Sequence, residues 1–298
     1  MKLCKPLFEI WNQPAGLEGV YKQIEKVGRV CYKSEDKITE DSAKPFVDRM
    51  IKSGHGAMLE HGTVYLQYET AKSAINPLTK YYLNKYSKVK AKEGAIEETM
   101  RLFVTTNLRV LVENNWLKDL EYICEPTEFH EKRITVHFVC DRGVSHEFVR
   151  HRVMSFAQES TRYCNYSKDK FGNELTFIKP CWLDIPTGQY VYWDGDWCDV
   201  DKMKIQLPEG EHKDIDAFLW TLNNAETHYT LLINSGWKPQ EARAVLPNSL
   251  KTELVMTGFV SDWKHFFELR CDSAAHPQAR ELAIPLREEF IKKGYITE

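Results

Sequence analysis

Apolar residues recur at helical spacing from Leu17 to Val27 and again from Asp41 to Lys52. In the second stretch Phe46, Val47, Met50 and Ile51 share one face, Asp41 or Ser42 can cap it, and Gly54 stops it. Thr63 to Tyr68 (TVYLQY) and Arg133 to Cys140 (RITVHFVC) are rich in β-formers and predict strands. The roughly sixty residues between them, Ile96 to Leu111 included, are mostly helical in character and predict an insertion between two strands of one sheet. Gly143 to Phe156 also has helical spacing. From Tyr163 to about Gly210 the chain is polar, aromatic and turn-rich. It carries Trp182, Trp193 and Trp197, with Pro186, Gly188, Gly195 and Pro208 favouring loops and short strands. Ile215, Phe218, Leu219, Leu222, Ala225, Tyr229 and Leu232 mark a long amphipathic helix that Gly236 ends. Pro239 opens a short helix that Pro247 closes, Thr252 to Phe259 predicts a strand, Ser261 can cap a helix to Arg270, and Pro277 starts the last helix. With no low-complexity linker, this pattern predicts one α+β domain over 1–298, with insertions at about 71–130 and 167–210.

Composition narrows the function classes. Forty Lys+Arg against 43 Asp+Glu give a net charge of −3, so no global positive field exists to hold a long nucleic acid. An anion must be gripped by a local cluster. No run approaches the ~18 apolar residues of a membrane span, and MKLCKPLFEIWNQ lacks a secretory apolar core. The eight Cys contain no CxxC pair, which fits a reduced, cytoplasmic chain.

The most unusual segment is Arg150-His151-Arg152, followed by Ser160, Arg162 and Tyr163 in RHRVMSFAQESTRY. Helix residues turn by ~100° each, so on a helix Arg150 and Arg152 would point ~200° apart and serve two ligands, or one ligand and one carboxylate. The bland alternative is a solvated basic face paired with Asp141 and Glu147. Gln158 to Arg162 supplies an amide, a hydroxyl and a guanidinium, enough to read a nucleobase edge and a phosphate, or merely to form a polar turn. Arg270 ends an apolar helical face (Trp263, Phe266, Phe267, Leu269), where a fixed cation can stabilise charge developing on a substrate.

Two further classes compete. A metal-dependent hydrolase could use His55, Glu60, His61, His146 and His151, but His146 and His151 are five apart, not the four that zinc helices need. A polyanion-binding module could use the basic stretch 142–152. Cys164, near Arg162, could have a lowered pKa, although buried inert thiols are the commoner state.

The Arg150-His151-Arg152 triplet, seven residues and then Ser160, with Arg162-Tyr163 beyond, resembles the signature of flavin-dependent thymidylate synthases. Ser53 to His61 (SGHGAMLEH), Arg133 to Tyr166, and Ser235 to Ala283, which holds Arg243 and Arg270, carry the likeness over about a third of the chain. The resemblance implies an α+β fold with an antiparallel or mixed sheet flanked by helices, assembled as a homotetramer with shared active sites. It implies reductive methylation of dUMP to dTMP, with methylenetetrahydrofolate as carbon donor and NADPH as reductant through bound FAD.

By position, it places Ala57, Arg150, His151, Arg152, Gln158, Phe259, Val260, Ser261 and His265 against FAD. It places Glu147, Phe148, Val149, Arg150, Gln158, Glu159, Ser160, Thr161, Arg162, Arg243 and Arg270 at dUMP, with Arg270 stabilising the pyrimidine ionised at N3. It implies no bound metal and no nucleophilic Cys. The chain departs from the common pattern at Cys31, Ala57, Glu147, Ala157, Gln158, Phe259 and His265, where members usually carry other residues, so it resembles a divergent subgroup.

Overall fold

A computed structural model describes residues 1–71, 79–94, 96, 98–168, 172–199, 201, 203–207 and 213–297. The chain begins with β1 (Lys2–Cys4), β2 (Leu7–Trp11), α1 (Gly16–Tyr32), α2 (Ala43–Lys52) and the single turn α3 (Gly56–Leu59). Then come β3 (Thr63–Ala71), α4 (Thr79–Tyr82), β4 (Lys88–Glu93), β5 (Thr99–Asn107) and α5 (Leu108–Glu113). β6 (Arg133–Asp141) runs directly into α6 (Arg142–Phe148), and β7 (Ser155–Gln158) follows. The aromatic stretch forms β8 (Thr176–Ile178), β9 (Gly188–Gln189), β10 (Val191–Trp193) and β11 (Asp196–Cys198). The chain closes with α7 (Lys213–Asn234), α8 (Pro239–Ala242), β12 (Lys251–Phe259), α9 (Val260–Arg270) and α10 (Pro277–Lys292). Pro208 and Gly210 lie outside the described residues. No described helix is long and apolar enough to cross a membrane.

The architecture is α+β. The central sheet has the order β2-β6-β12-β7 and is antiparallel throughout. Alternation along β6 explains how it is covered. Ile134, Val136, Phe138 and Cys140 face Trp263, Phe266 and Phe267 of α9 and Leu282, Leu286 and Phe290 of α10. Across the sheet, Trp11, Ala157 and Val255 meet Val27, Val30 and Cys31 of α1. α7 ends where Gly236 takes φ 93°, a left-handed conformation that lets Trp237 N–H reach back to the Leu232 carbonyl at 3.0 Å.

Four sequence expectations are corrected. Lys88–Glu93 and Thr99–Asn107 form strands, and of the helical character expected over 96–111 only Leu108–Glu113 is helix: β4 and β5 pair antiparallel, and β5 pairs β3 in a separate sheet of order β3-β5-β4. β5 is the middle strand and buries Leu102 to Asn107 without a break, so neither the two-residue nor the helical period shows in its sequence. β3 and β6 therefore belong to different sheets, and 71–130 is not an insertion within one.

The helix expected over 143–156 stops at Phe148. Buried Val144, Phe148, His151 and Met154 keep a helix-like spacing, but the last two are carried by turns before β7 pairs with β12. Ser261 does not cap α9, which begins at Val260. The Asp262 carboxylate accepts from Phe259 N–H at 2.9 Å, and Ser261 Oγ donates to Glu131 at 2.6 Å.

Candidate functional site

A cavity of about 420 Å³ opens where β7 runs into the 159–163 loop. Gln158 to Tyr163 form one wall. The rest comes from Phe156 and Ala157 of β7, the C-terminal end of α1 (Cys31, Tyr32), His55 with Ala57 and Met58 of α3, Arg142 and Arg243. The loop is pinned on both sides, because Glu159 N–H donates to the Glu253 carbonyl at 2.8 Å and Ser160 N–H to the Cys31 carbonyl at 3.1 Å. Arg243, eighty residues away in sequence, reaches Thr161 Oγ1 with Nη1 at 3.1 Å. Arg162 is exposed, with its guanidinium 5.3 Å from the Tyr163 ring. Tyr163 in turn lies against Tyr32, with ring centres 5.3 Å apart.

Gln158 and Glu159 have separate duties. The Gln158 amide lines the cavity and donates to Ser145 Oγ at 2.8 Å and Thr252 Oγ1 at 3.2 Å. The Glu159 carboxylate is buried behind it, accepting from Tyr166 Oη at 2.9 Å and Lys251 Nζ at 3.0 Å. Lys251 also reaches Glu253 at 2.8 Å, and Glu253 accepts from His137 at 2.9 Å and from Lys33. Burial alone would raise the Glu253 carboxyl. His137, Lys251 and Lys33 overcome that and hold it far below the usual carboxylate range. Burial likewise opposes charge on Lys251, yet Glu159 and Glu253 hold its pKa above the usual lysine value.

A second cluster lies at the other end of α6. The Arg270 guanidinium donates from Nε to His151 Nε2 at 3.1 Å, from Nη1 to the Glu147 carboxylate at 2.9 Å and from Nη2 to the Glu147 carbonyl at 2.7 Å. His151 sits over Phe266, with ring centres 5.0 Å apart, and meets His265 edge-on at 5.8 Å. Desolvation, with help from the Arg270 and His265 charges, lowers its pKa to about 4, so it is neutral at pH 7 and able to accept from Arg270. Burial lowers His61, bonded to Thr257 at 2.8 Å, to about 3. Both folded values lie below the unfolded one, so the unfolded chain binds more protons and stability falls as pH drops from about 6.5 towards 4. Denaturant midpoints measured between pH 4 and 7 should fall along that slope, and His151→Gln should flatten it. An unchanged slope in that variant would contradict the assignment to His151.

The structure therefore gathers Ala57, Gln158, Glu159, Ser160, Thr161, Arg162 and Arg243 at the cavity, and Glu147, His151 and Arg270 in the second cluster. Arg270 does not line the cavity. Phe148 is buried in the core, Val149 packs against that core, and Phe259 is buried. Val260 is half-buried, while Ser261 and His265 are exposed at the start and middle of α9.

Arg150 and Arg152 lie in the turn beyond α6, so the helical argument for opposed directions does not apply. Both are exposed, and neither guanidinium has an ion-pair or hydrogen-bond partner among the described residues. Nor is 142–152 one basic stripe, because Arg142 lines the cavity and Glu147 pairs with Arg270. The five residues weighed as metal ligands do not form a common site. Glu60 pairs with Arg109, His61 with Thr257 and His151 with Arg270, while His55 and His146 are exposed. Cys164 is buried in an apolar cluster with Tyr166 and Tyr229.

Sequence reasoning missed Arg142, Tyr32, Cys31 and Met58 as cavity residues. The junction of a predicted strand with a helix at 141–142, adjacent to the signature, was the available signal for Arg142. Of the α1 residues, Cys31 stood out only as a departure from the family pattern, and Tyr32 carried no signal because its helix reads simply as core.

A sequence model of the family described as thymidylate synthase complementing protein, Thy1, matches residues 86–293. The flavin-dependent thymidylate synthase of Pyrococcus furiosus is 30% identical over 160 residues, 53% of each chain. That of Geobacter sulfurreducens is 27% identical over 145 residues, 49% of this chain and 50% of the relative. The chain thus matches about half the length of these curated relatives. The crystal structure of a UMP/dUMP methylase, PolB, from Streptomyces cacaoi, bound with 5-Br dUMP, superposes with TM-score 0.42 and 18% identity over 98% of this chain and 93% of that one.

Proposed function

Because the chain belongs to the thymidylate synthase complementing protein family, we propose that it is an FAD-dependent thymidylate synthase. In this reading it methylates dUMP to dTMP, with methylenetetrahydrofolate as carbon donor and NADPH as reductant. The observation that carries the reading is the convergence of the Gln158–Arg162 loop and Arg243 on one cavity. Guanidinium, hydroxyl and amide donors there suit a nucleoside monophosphate, with Arg162 and Arg243 on the phosphate and Gln158 and Ser160 oriented by their own hydrogen bonds. The relatives support it too: those from Pyrococcus furiosus and Geobacter sulfurreducens are flavin-dependent thymidylate synthases.

The residues present fit FAD. Arg150 and Arg152 offer two solvent-facing guanidiniums without acidic partners, suited to a pyrophosphate, and exposed Val153 and His265 give a surface for a planar ring. FAD, when bound, supplies the hydride chemistry. Arg270 would hold the negative charge that develops on the uracil ring when N3 is ionised, which makes C5 nucleophilic. His151, neutral, and Glu147 set the orientation of that guanidinium. Since Arg270 and the cavity are separate within one chain, a homotetramer with shared sites would bring one subunit's Arg270 cluster to another's nucleotide. We place this protein in the cytoplasm, as one catalytic unit over 1–298.

No thiol in this reading attacks the pyrimidine. Cys31 lies on the cavity wall, but burial pushes its pKa up to about 11, which leaves it protonated and weakly nucleophilic. Cys31→Ser should keep dTMP formation within about threefold of wild type, and its abolition with FAD still bound would reverse this assignment. The overall reading is tested by dUMP-dependent dTMP formation with all cosubstrates. The purified protein should be yellow and bleach with NADPH, and a colourless protein inert towards dUMP would refute it.

A further inference from the structure

We infer that Lys88, Lys90 and Lys92 of β4 form a cationic track for the oligo-γ-glutamate tail of the folate carbon donor, so that the enzyme favours polyglutamylated over monoglutamylated cosubstrate. This deepens, and rests on, the thymidylate synthase reading. β4 lies outside the three segments that carry the family likeness, and that likeness gives these lysines no role.

β4 is an edge strand of the β3-β5-β4 sheet, and its sequence KVKAKE puts a lysine at every second position. Strand residues two apart share one face and stand ~6.8 Å from each other. Val89, between the first two, turns the other way and packs with Leu102 and Val104 in the core. On the outer face, Lys88, Lys90 and Lys92 pair with Thr105, Phe103 and Arg101 of β5. Lys92 Nζ sits 3.4 Å from the centre of the Phe129 ring, which itself packs on Phe103. All three lysines are exposed, and no ammonium among them has an ion-pair or hydrogen-bond partner among the described residues. Arg101, at the far end of the row, is already engaged by Glu69 at 3.4 Å.

The row starts at a cavity of about 130 Å³, where Lys85 and Lys88 face Arg133, Val153, Phe259 and Asp262. Lys88 Nζ lies 5.7 Å from the centre of the Phe259 ring. The single lining carboxylate, Asp262, accepts from Phe259 N–H at 2.9 Å, and it is outnumbered by Lys85, Lys88 and Arg133. Val153 is also part of the exposed surface assigned above to the flavin ring. A pterin held at the flavin would send its glutamate end past Val153 and Phe259 to Lys88, then along Lys90 and Lys92. Each γ-linked glutamate carries one free α-carboxylate, and each two-residue step of β4 offers one cation. Lysine, a hydrated point charge on a flexible stem, suits a mobile tail better than a forked guanidinium would. With a net charge of −3, the chain has no global field to do this work, so the attraction is local to the row.

Calorimetry on the flavin-loaded protein should compare tetrahydrofolate carrying one and five glutamates, and steady-state kinetics the matching methylene forms. The pentaglutamate should bind about tenfold tighter at low salt, as expected for two or three exposed ion pairs, and the advantage should shrink as salt rises. Lys90→Gln with Lys92→Gln should cut the advantage below about threefold, and Lys90→Glu with Lys92→Glu should reverse it. Monoglutamate affinity in the same samples reports whether the fold survives the substitutions. Lysines on an edge strand also deter pairing with another sheet, and a row serving only that end would leave glutamate number without effect. Equal affinity of the wild-type protein for the two forms, or an advantage that survives charge reversal, overturns the inference. A wild-type protein that makes no dTMP from dUMP with either methylene form defeats instead the reading beneath it.

Discussion

Arg270→Ala should lower kcat for dTMP formation by about 10²–10³-fold while FAD stays bound, the scale seen when one preorganised charge-stabilising donor is removed. Three donors of this side chain are placed at once, on the Glu147 carboxylate, the Glu147 carbonyl and His151. Ala removes the cation and leaves the Glu147 charge without its partner, which turns the local field against an anionic pyrimidine. Lys would keep the charge but cannot span three acceptors with one fork, so Arg270→Lys should fall between Ala and wild type. Steady-state kinetics, with absorbance spectra for bound flavin, separate the cases. The loss should appear in kcat more than in KM, because the charge matters most in the transition state. The His151 pKa should also move part of the way back up, since Arg270 is the second cause of its depression after burial. Near-wild-type kcat in Arg270→Ala would remove Arg270 from the chemistry.

Lys251→Met should cost about 3–5 kcal/mol of stability, the penalty for leaving buried carboxylates without their cation. Lys251 bridges Glu159 and Glu253. Glu253 would keep Lys33 and His137, whereas Glu159 would keep only the Tyr166 hydroxyl among the described residues. Urea unfolding should show a larger deficit at pH 7 than at pH 5, because an unpaired buried carboxylate binds a proton more readily. dUMP affinity should fall with stability, since the 159–163 loop forms the cavity wall. A deficit below about 1 kcal/mol, the scale of exposed ion pairs, would show that the network is only surface decoration.

Some of this was legible in sequence for clear physical reasons. β12, α7, α9 and α10 announce themselves through long periodic runs and Pro or Gly punctuation. The pairing of the Gln158–Arg162 loop with Arg243 was suggested only by family likeness, because no local pattern links positions eighty residues apart. β5 was lost because a strand covered on both sides has no alternation to read. The turn at 149–154 was lost because His151 and Met154 keep helical spacing, while the reason they leave the helix, the pairing of β7 with β12, is tertiary. For Arg142 the only signal was its place where a predicted strand meets a helix, and a basic residue at such a junction looks the same in sequence whether it faces water or a cavity.

α6 is a short helix. Within its seven residues it carries the cavity-lining Arg142 at its first position and the Arg270 partner Glu147 near its last. It thus acts as a gauge block between two halves of the chemistry. Adding or removing one residue there would swing Glu147 by about 100° and shift it by about 1.5 Å along the axis, breaking its register with α9. Length changes between Arg142 and Phe148 should be rejected, whatever side chains the inserted residue brings.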